Sequence, residues 1–294
     1  MLNSRSQALL DAVRSRVVIA DGAMGTMIQD AAPTLEDFQN YEGCNEILNV
    51  TRPELIASIH AQYLKSGAEA IETNTFGANF ANLAEYDIVD RVYELAFAGA
   101  KVARDIANDF STDDKPRWVL GSLGPGTKLP SLGHEKFSVL RDAYQDATRG
   151  LIDGGADAIL IETMSDLSEV EAAVKAAQEV APGLPIAVTF SFDTNLRTMM
   201  GVKPEMAVKT ISALGVRLIG ANCGRGTDEM KIIAQELTNA RQPGTFIMTQ
   251  SNAGLPKLVG DEFIYDGTPE EMAKYAKEMK SFGVNVIGSC CGST

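Results

Sequence analysis

Eight short apolar runs, each separated from the next by an amphipathic stretch, constrain the fold of this chain more than any other feature. The runs are Val17–Ala20, Ala68–Ile71, Trp118–Leu120, Ala158–Ile161, Ile186–Thr189, Val216–Ile219, Phe246–Met248 and Val284–Ile287. Runs this short, rich in aliphatic and β-branched residues, read as buried strands. Between them Pro53–Lys65, Phe137–Asp153, Ser168–Val180, Pro204–Leu214, Asp228–Leu237 and Pro269–Phe282 carry helical periodicity, and a more polar helix, Gln7–Arg16, precedes the first run. Thr51-Arg52-Pro53-Glu54 and Thr268-Pro269-Glu270-Glu271 have the composition of helix starts, and Gly67, Gly154-Gly155 and Gly283 stand where helices stop. Eight strands alternating with helices over 294 residues predict a (β/α)8 TIM-type barrel. An open doubly wound sheet has the same strand count and is the alternative. No linker-like or low-complexity stretch divides the chain, so residues 1–294 are expected to form one domain. Only seven residues follow the eighth run, so the barrel is expected to lack its last outer helix, as a module of a longer polypeptide would.

The formal charge of −13 opposes nucleic-acid binding, because phosphates demand basic grooves. No apolar stretch approaches the roughly 20 residues that span a bilayer. The N-terminal segment leads into a mixed polar helix, not an apolar core, so no secretory signal is expected. Four cysteines in such a chain point to a reducing compartment, with the cytoplasm as the default.

In a barrel, residues at the C-terminal strand ends carry the chemistry. Here they read Asp21-Gly22-Ala23-Met24-Gly25-Thr26, Glu72-Thr73-Asn74-Thr75, Gly121-Ser122-Leu123-Gly124-Pro125, Glu162-Thr163, Phe190-Ser191-Phe192-Asp193, Asn222-Cys223-Gly224, Gln250-Ser251-Asn252-Ala253-Gly254 and Ser289-Cys290-Cys291-Gly292. Cys223, Cys290 and Cys291 fit a three-thiolate zinc site whose fourth position takes an exchangeable ligand. Buried inert thiols or a disulfide are the alternatives, the latter strained between adjacent cysteines. Cys44 reads as an ordinary loop thiol, and His60 and His134 lack ligand-like spacing. Two histidines exclude a three-imidazole metal site. Asp21 and Glu162 are either structural or suited to a substrate ammonium. The amides of the turn at Ala23 and Met24 could receive a carboxylate.

Taken together, Asp21–Thr26, Glu72-Thr73-Asn74-Thr75-Phe76, Ile161-Glu162-Thr163, Asn222-Cys223-Gly224 and Gly288–Gly292 resemble the homocysteine S-methyltransferases over essentially the whole chain. Thr26–Gln29, Asn45–His60 and Asn252–Pro256 most resemble the homocysteine-binding module of the cobalamin-dependent members. The resemblance implies Zn2+ held by Cys223, Cys290 and Cys291, with homocysteine sulfur as fourth ligand and Asn252 in that place when substrate is absent. It also implies that Asp21 and Glu162 hold the ammonium, that the amides of Ala23 and Met24 hold the carboxylate, and that the product is methionine. The implied donor is methylcobalamin carried on another domain or protein. S-Methylmethionine or betaine is the alternative donor, and a non-catalytic module with structural zinc is the alternative reading. The loop Gly124–Pro130 departs from the Gly-Pro-Thr continuation usual in the family.

Overall fold

A computed structural model describes residues 3–255, 257–259 and 262–294. Met1, Leu2 and Pro256, which belong to stretches read above, lie outside the described residues. All eight strands form: β1 (Val18–Ile19), β2 (Ala70–Glu72), β3 (Trp118–Leu123), β4 (Ala158–Met164), β5 (Ile186–Phe190), β6 (Leu218–Cys223), β7 (Phe246–Ser251) and, after a small antiparallel hairpin of β8 (Lys257–Val259) and β9 (Glu262–Ile264), β10 (Val286–Ser289). The large sheet runs β1-β10-β7-β6-β5-β4-β3-β2, every pairing parallel. A parallel bridge between Ala20 and Ala70 joins its two edges, with Glu69 N–H donating to Ile19 O at 2.8 Å and Asp21 N–H to Ala70 O at 3.0 Å. The sheet is therefore a closed barrel, and the open-sheet alternative falls.

Side-chain alternation along the strands sorts the core into two layers. Ile71, Val119, Ile159, Ile161, Val188, Ile219 and Ile287 face outward into the helices. Val18, Ala20, Ala70, Trp118, Leu120, Leu160 and Met248 fill the barrel together with Leu9 and Val13. These last two come from α1 (Ser4–Ser15), which lies across the N-terminal end of the strands. Ser6 Oγ and Arg5 Nε of α1 bond the backbone and carboxylate of Asp157, the residue before β4. Asn285, just before β10, donates its amide to Val13 O.

The outer helices are α2 (Met24–Asp30), α3 (Leu48–Thr51), α4 (Pro53–Ser66), α5 (Phe80–Ala84), α6 (Val92–Phe110), α7 (Phe137–Asp153), α8 (Leu167–Val180), α9 (Pro204–Ala213), α10 (Thr227–Ala240) and α11 (Pro269–Phe282). The start of α11 is as expected: Thr268 and Glu271 form a reciprocal capping box ahead of Pro269. Thr51 is not a cap. It closes α3, and its hydroxyl donates to Asp37 O at 2.6 Å, leaving Arg52 before Pro53. Gly67 and Gly283 end α4 and α11 in the left-handed conformation, at φ 113° and 88°. Among the described residues β10 is followed by turns and no helix, and a groove of about 550 Å³ between α4 and α11 marks that part of the wall. No described helix is long and apolar enough to cross a membrane.

Candidate active site

The strands extend further at their C-terminal ends than their apolar runs do, so several residues expected just beyond a strand are its last members. Cys223 closes β6 and Glu162 lies within β4, while Cys290 and Cys291 follow β10 directly. Cys223 and Thr163 both have left-handed backbones, at φ 57° and 59°. For residues with a Cβ this conformation costs roughly 1–2 kcal/mol, and it ends the pleat so that the side chains turn over the barrel mouth. Asn222 fixes the pair: its Oδ1 accepts from Thr163 N at 2.9 Å and Thr189 Oγ1 at 2.9 Å.

The three sulfurs converge. Cys223 and Cys290 Sγ are 2.8 Å apart, Cys290 and Cys291 Sγ 3.9 Å, and all three lie within 4.8 Å of one another. All are free, and even the shortest gap exceeds the roughly 2.05 Å of a disulfide. Hydrogen bonds from Cys223 and Cys290, with a further one from Tyr265, pull the Cys291 thiol down to about 3. Hydrogen bonding to Cys223 and Cys291, together with burial, pushes Cys290 well up.

The donor set suits a soft tetrahedral ion. At the usual Zn–S length of about 2.3 Å, neighbouring thiolates stand about 3.8 Å apart, close to the Cys290–Cys291 separation. The end of β7 is tied to both thiol motifs. Cys290 N–H donates to Ser251 O at 2.8 Å, Ala253 N–H to Cys291 O at 2.9 Å, and Asn252 Nδ2 to Gly224 O at 2.8 Å. Asn252 Oδ1 is buried with no partner, an orphaned oxygen of the kind a cation satisfies.

Beside the thiols lies a cavity of about 420 Å³, within the range of small-molecule sites. Ala23, Met24, Glu72, Ser122, Glu162 and the three cysteines line it, and among its described lining residues there is no Lys, Arg or His. Burial pushes the Glu162 carboxyl up against hydrogen bonds from Ser122 and Thr163 that pull it down. Burial and the neighbouring Glu162 push Glu72 well up, and Asp21 is raised well by burial with Glu162 adding to it.

The expected residues separate here. Glu162, Ala23, Met24 and the thiols share the cavity, whereas Asp21 and Asn252 are not among its lining. Asp21 Oδ2 accepts from Glu72 N at 2.9 Å, and its Oδ1 is buried without a partner. The Ala23 amide donates to Ser293 Oγ at 3.0 Å, which leaves Met24, Gly25 and Thr26 at the start of α2 as the amides without an intrahelical acceptor. Cys44 lies in a loop, as expected, and is buried there. It is 1% exposed, borders the same cavity, and is pushed up to about 12 by burial and by Glu46, whose carboxylate lies 3.7 Å away. Glu72 and Gln250 read from sequence as strand-end residues with no individual role. Their pairing shows only in the fold, where Gln250, 178 positions on, donates to Glu72 at 2.6 Å.

A closed parallel barrel with three convergent thiols over an acidic, cation-free cavity defines a class of barrel that handles a small thiophilic or cationic ligand at its upper rim. The chain belongs to the homocysteine S-methyltransferase family, whose model it matches over residues 18–294. It is 44% identical over 292 residues to a methionine synthase of Mycobacterium tuberculosis and 43% identical to one of Mycobacterium leprae. The alignment covers 97% of this chain and only 24% of each of those proteins. In fold it is similar to the homocysteine methyltransferase MmuM of Escherichia coli, solved in oxidized and metallated forms. The TM-score is 0.78 at 21% identity, covering 99% of this chain and 96% of that one.

Proposed function

We propose that this barrel transfers a methyl group to the thiolate of L-homocysteine, giving methionine, with Cys223, Cys290 and Cys291 holding a zinc ion. The convergence of three thiols on the wall of an acidic cavity is the observation that carries this reading. Bound zinc supplies one thing, a lowered thiol pKa, so that a substrate sulfur that is mostly protonated at neutral pH is presented as thiolate. The chain's own residues do the rest. The buried carboxylates offer negative charge to the ammonium, and Met24 with its neighbours offers amides to the carboxylate. Asn222 and Ser122 hold Glu162 in place, Ser122 Oγ at 2.5 Å and Asn222 Nδ2 at 3.2 Å. Asn252, orphaned beside Cys291, fits the role of a ligand that yields to the incoming sulfur. No histidine lines the cavity, which suits a reaction that needs no general base poised near neutrality.

The donor we favour is methylcobalamin brought by a separate domain or protein. The resemblance to methionine synthases, of which this chain spans under a quarter, supports it. Metal analysis and methionine formation test the proposal together. The protein is expected to bind one zinc per chain, and Cys223→Ala to lose most of that zinc and all measurable methyl transfer. A full zinc complement in Cys223→Ala would remove the ligand assignment. Methionine formed from betaine or S-methylmethionine but not from methylcobalamin would overturn the donor.

A further inference from the structure

The three carboxylates beside the thiols are not equivalent. Glu162 has both oxygens engaged, Oε1 by Ser122 Oγ and Oε2 by Asn222 Nδ2 and Thr163 Oγ1. Asp21 has Oδ2 taken by the Glu72 backbone N–H and Oδ1 unpartnered, but it stands outside the cavity lining. Glu72 lines the cavity and is held on one side only: Oε1 accepts from Gln250 Nε2 at 2.6 Å, and Oε2 has no hydrogen-bond partner among the described residues. Gln250 is itself 2% exposed on β7, so it is a fixed strut and not a mobile surface amide. Its own Oε1 is buried without a partner, so the pair has unused acceptor capacity and no cation to meet it.

We propose that Glu72 Oε2 is a principal acceptor for the substrate's α-ammonium, held in place by Gln250, and that it selects amino-acid thiols over thiols lacking the amine. The inference rests on the homocysteine reading and adds to it the residue that sets selectivity. In a cavity lined by no basic side chain, an ammonium is the complement the Glu72 carboxylate lacks. A substrate without that group leaves the carboxylate buried and unpaired.

Calorimetry on the zinc-loaded protein with L-homocysteine and with 4-mercaptobutanoate, its des-amino analogue, tests the assignment. L-Methionine against 4-(methylthio)butanoate on the metal-free protein gives a second readout that does not depend on the metal. Removing one charge-assisted hydrogen bond costs about 10- to 100-fold in affinity. Glu72→Gln is therefore expected to weaken both amino acids by about that factor while leaving both des-amino ligands bound as tightly as before or more tightly. Glu72→Asp, which keeps the charge on a shorter arm, is expected to recover part of the loss and guards against a folding defect in the first variant. An equal loss for amino and des-amino ligands, or no loss for either, overturns the role of Glu72. Wild-type protein that binds none of the four ligands overturns the homocysteine reading itself, and the proposal with it.

Discussion

At the residue scale, polar groups are buried for two different reasons, and titration separates them. His60 lies on the inner face of α4 with both ring nitrogens buried and unpartnered, and burial pushes it down to about 4. It therefore stays neutral in the fold, while in the unfolded chain it takes up a proton near pH 6.5. Stability is full above that value and is lost as pH falls from about 6.5 toward 4, by about 2 kcal/mol between pH 7 and 5. Denaturant titrations at those two pH values are expected to show this loss in the wild type and not in His60→Leu. Glu72, Glu162 and Asp21 are acids raised by burial, the first two lining the cavity beside the thiols and Asp21 bonded to the Glu72 backbone behind it. Sequence showed which residue types stand at this rim. It did not show which oxygens were already spent, because Ser122, Asn222 and Gln250 come from three other strands.

At the element scale, the strands and capped helices were legible and the strand tails were not. Phe137–Asp153 and Pro269–Phe282 are observed as expected, because apolar periodicity and the start and stop residues coincide there. The tails Gly121-Ser122-Leu123, Glu162-Thr163-Met164 and Gly220–Cys223 open on small or polar residues, so a rule built on apolar runs stops short of them. Gly220 shows why small residues are needed: a Cβ there would stand 1.9 Å from Met248 O on the next strand. The junction of β3, β4, α1 and α6 depends on Asp157, fully buried and bonded to Arg5, to Arg104 at 2.6 Å and to the Val119 amide at 2.9 Å. Asp157→Ala leaves Arg104 buried and uncompensated. It is expected to cost about 3–5 kcal/mol in equilibrium unfolding, with the thiol cluster intact in the fraction that folds.

At the scale of the whole molecule, closure and the site are linked. Cys223 and Cys290 are 67 positions apart, one ending β6 and the other just after β10, two strands that both pair with β7, so an ion held between them would tie together elements the chain itself leaves distant. A ligand that binds only the folded form stabilises by about 4 kcal/mol at a thousandfold excess over its dissociation constant. Chelation of the bound metal is thus expected to lower the melting temperature by about 5–10 °C in a thermal scan, and Cys223→Ala to melt like the chelated protein. Closure itself could not be read from a strand count. It depends on the short contact between Ala20 and Ala70, neither of which carries any signal of pairing. The lower end of the barrel is stoppered by Leu9 and Val13 of α1 and its interior is packed with side chains, so the cavity beside the thiols lies at the upper rim. For the proposed reaction the consequence is an order of traffic: a small acceptor at the thiols is expected to settle before a bulky donor covers the rim, and the spent donor to lift away before the product leaves.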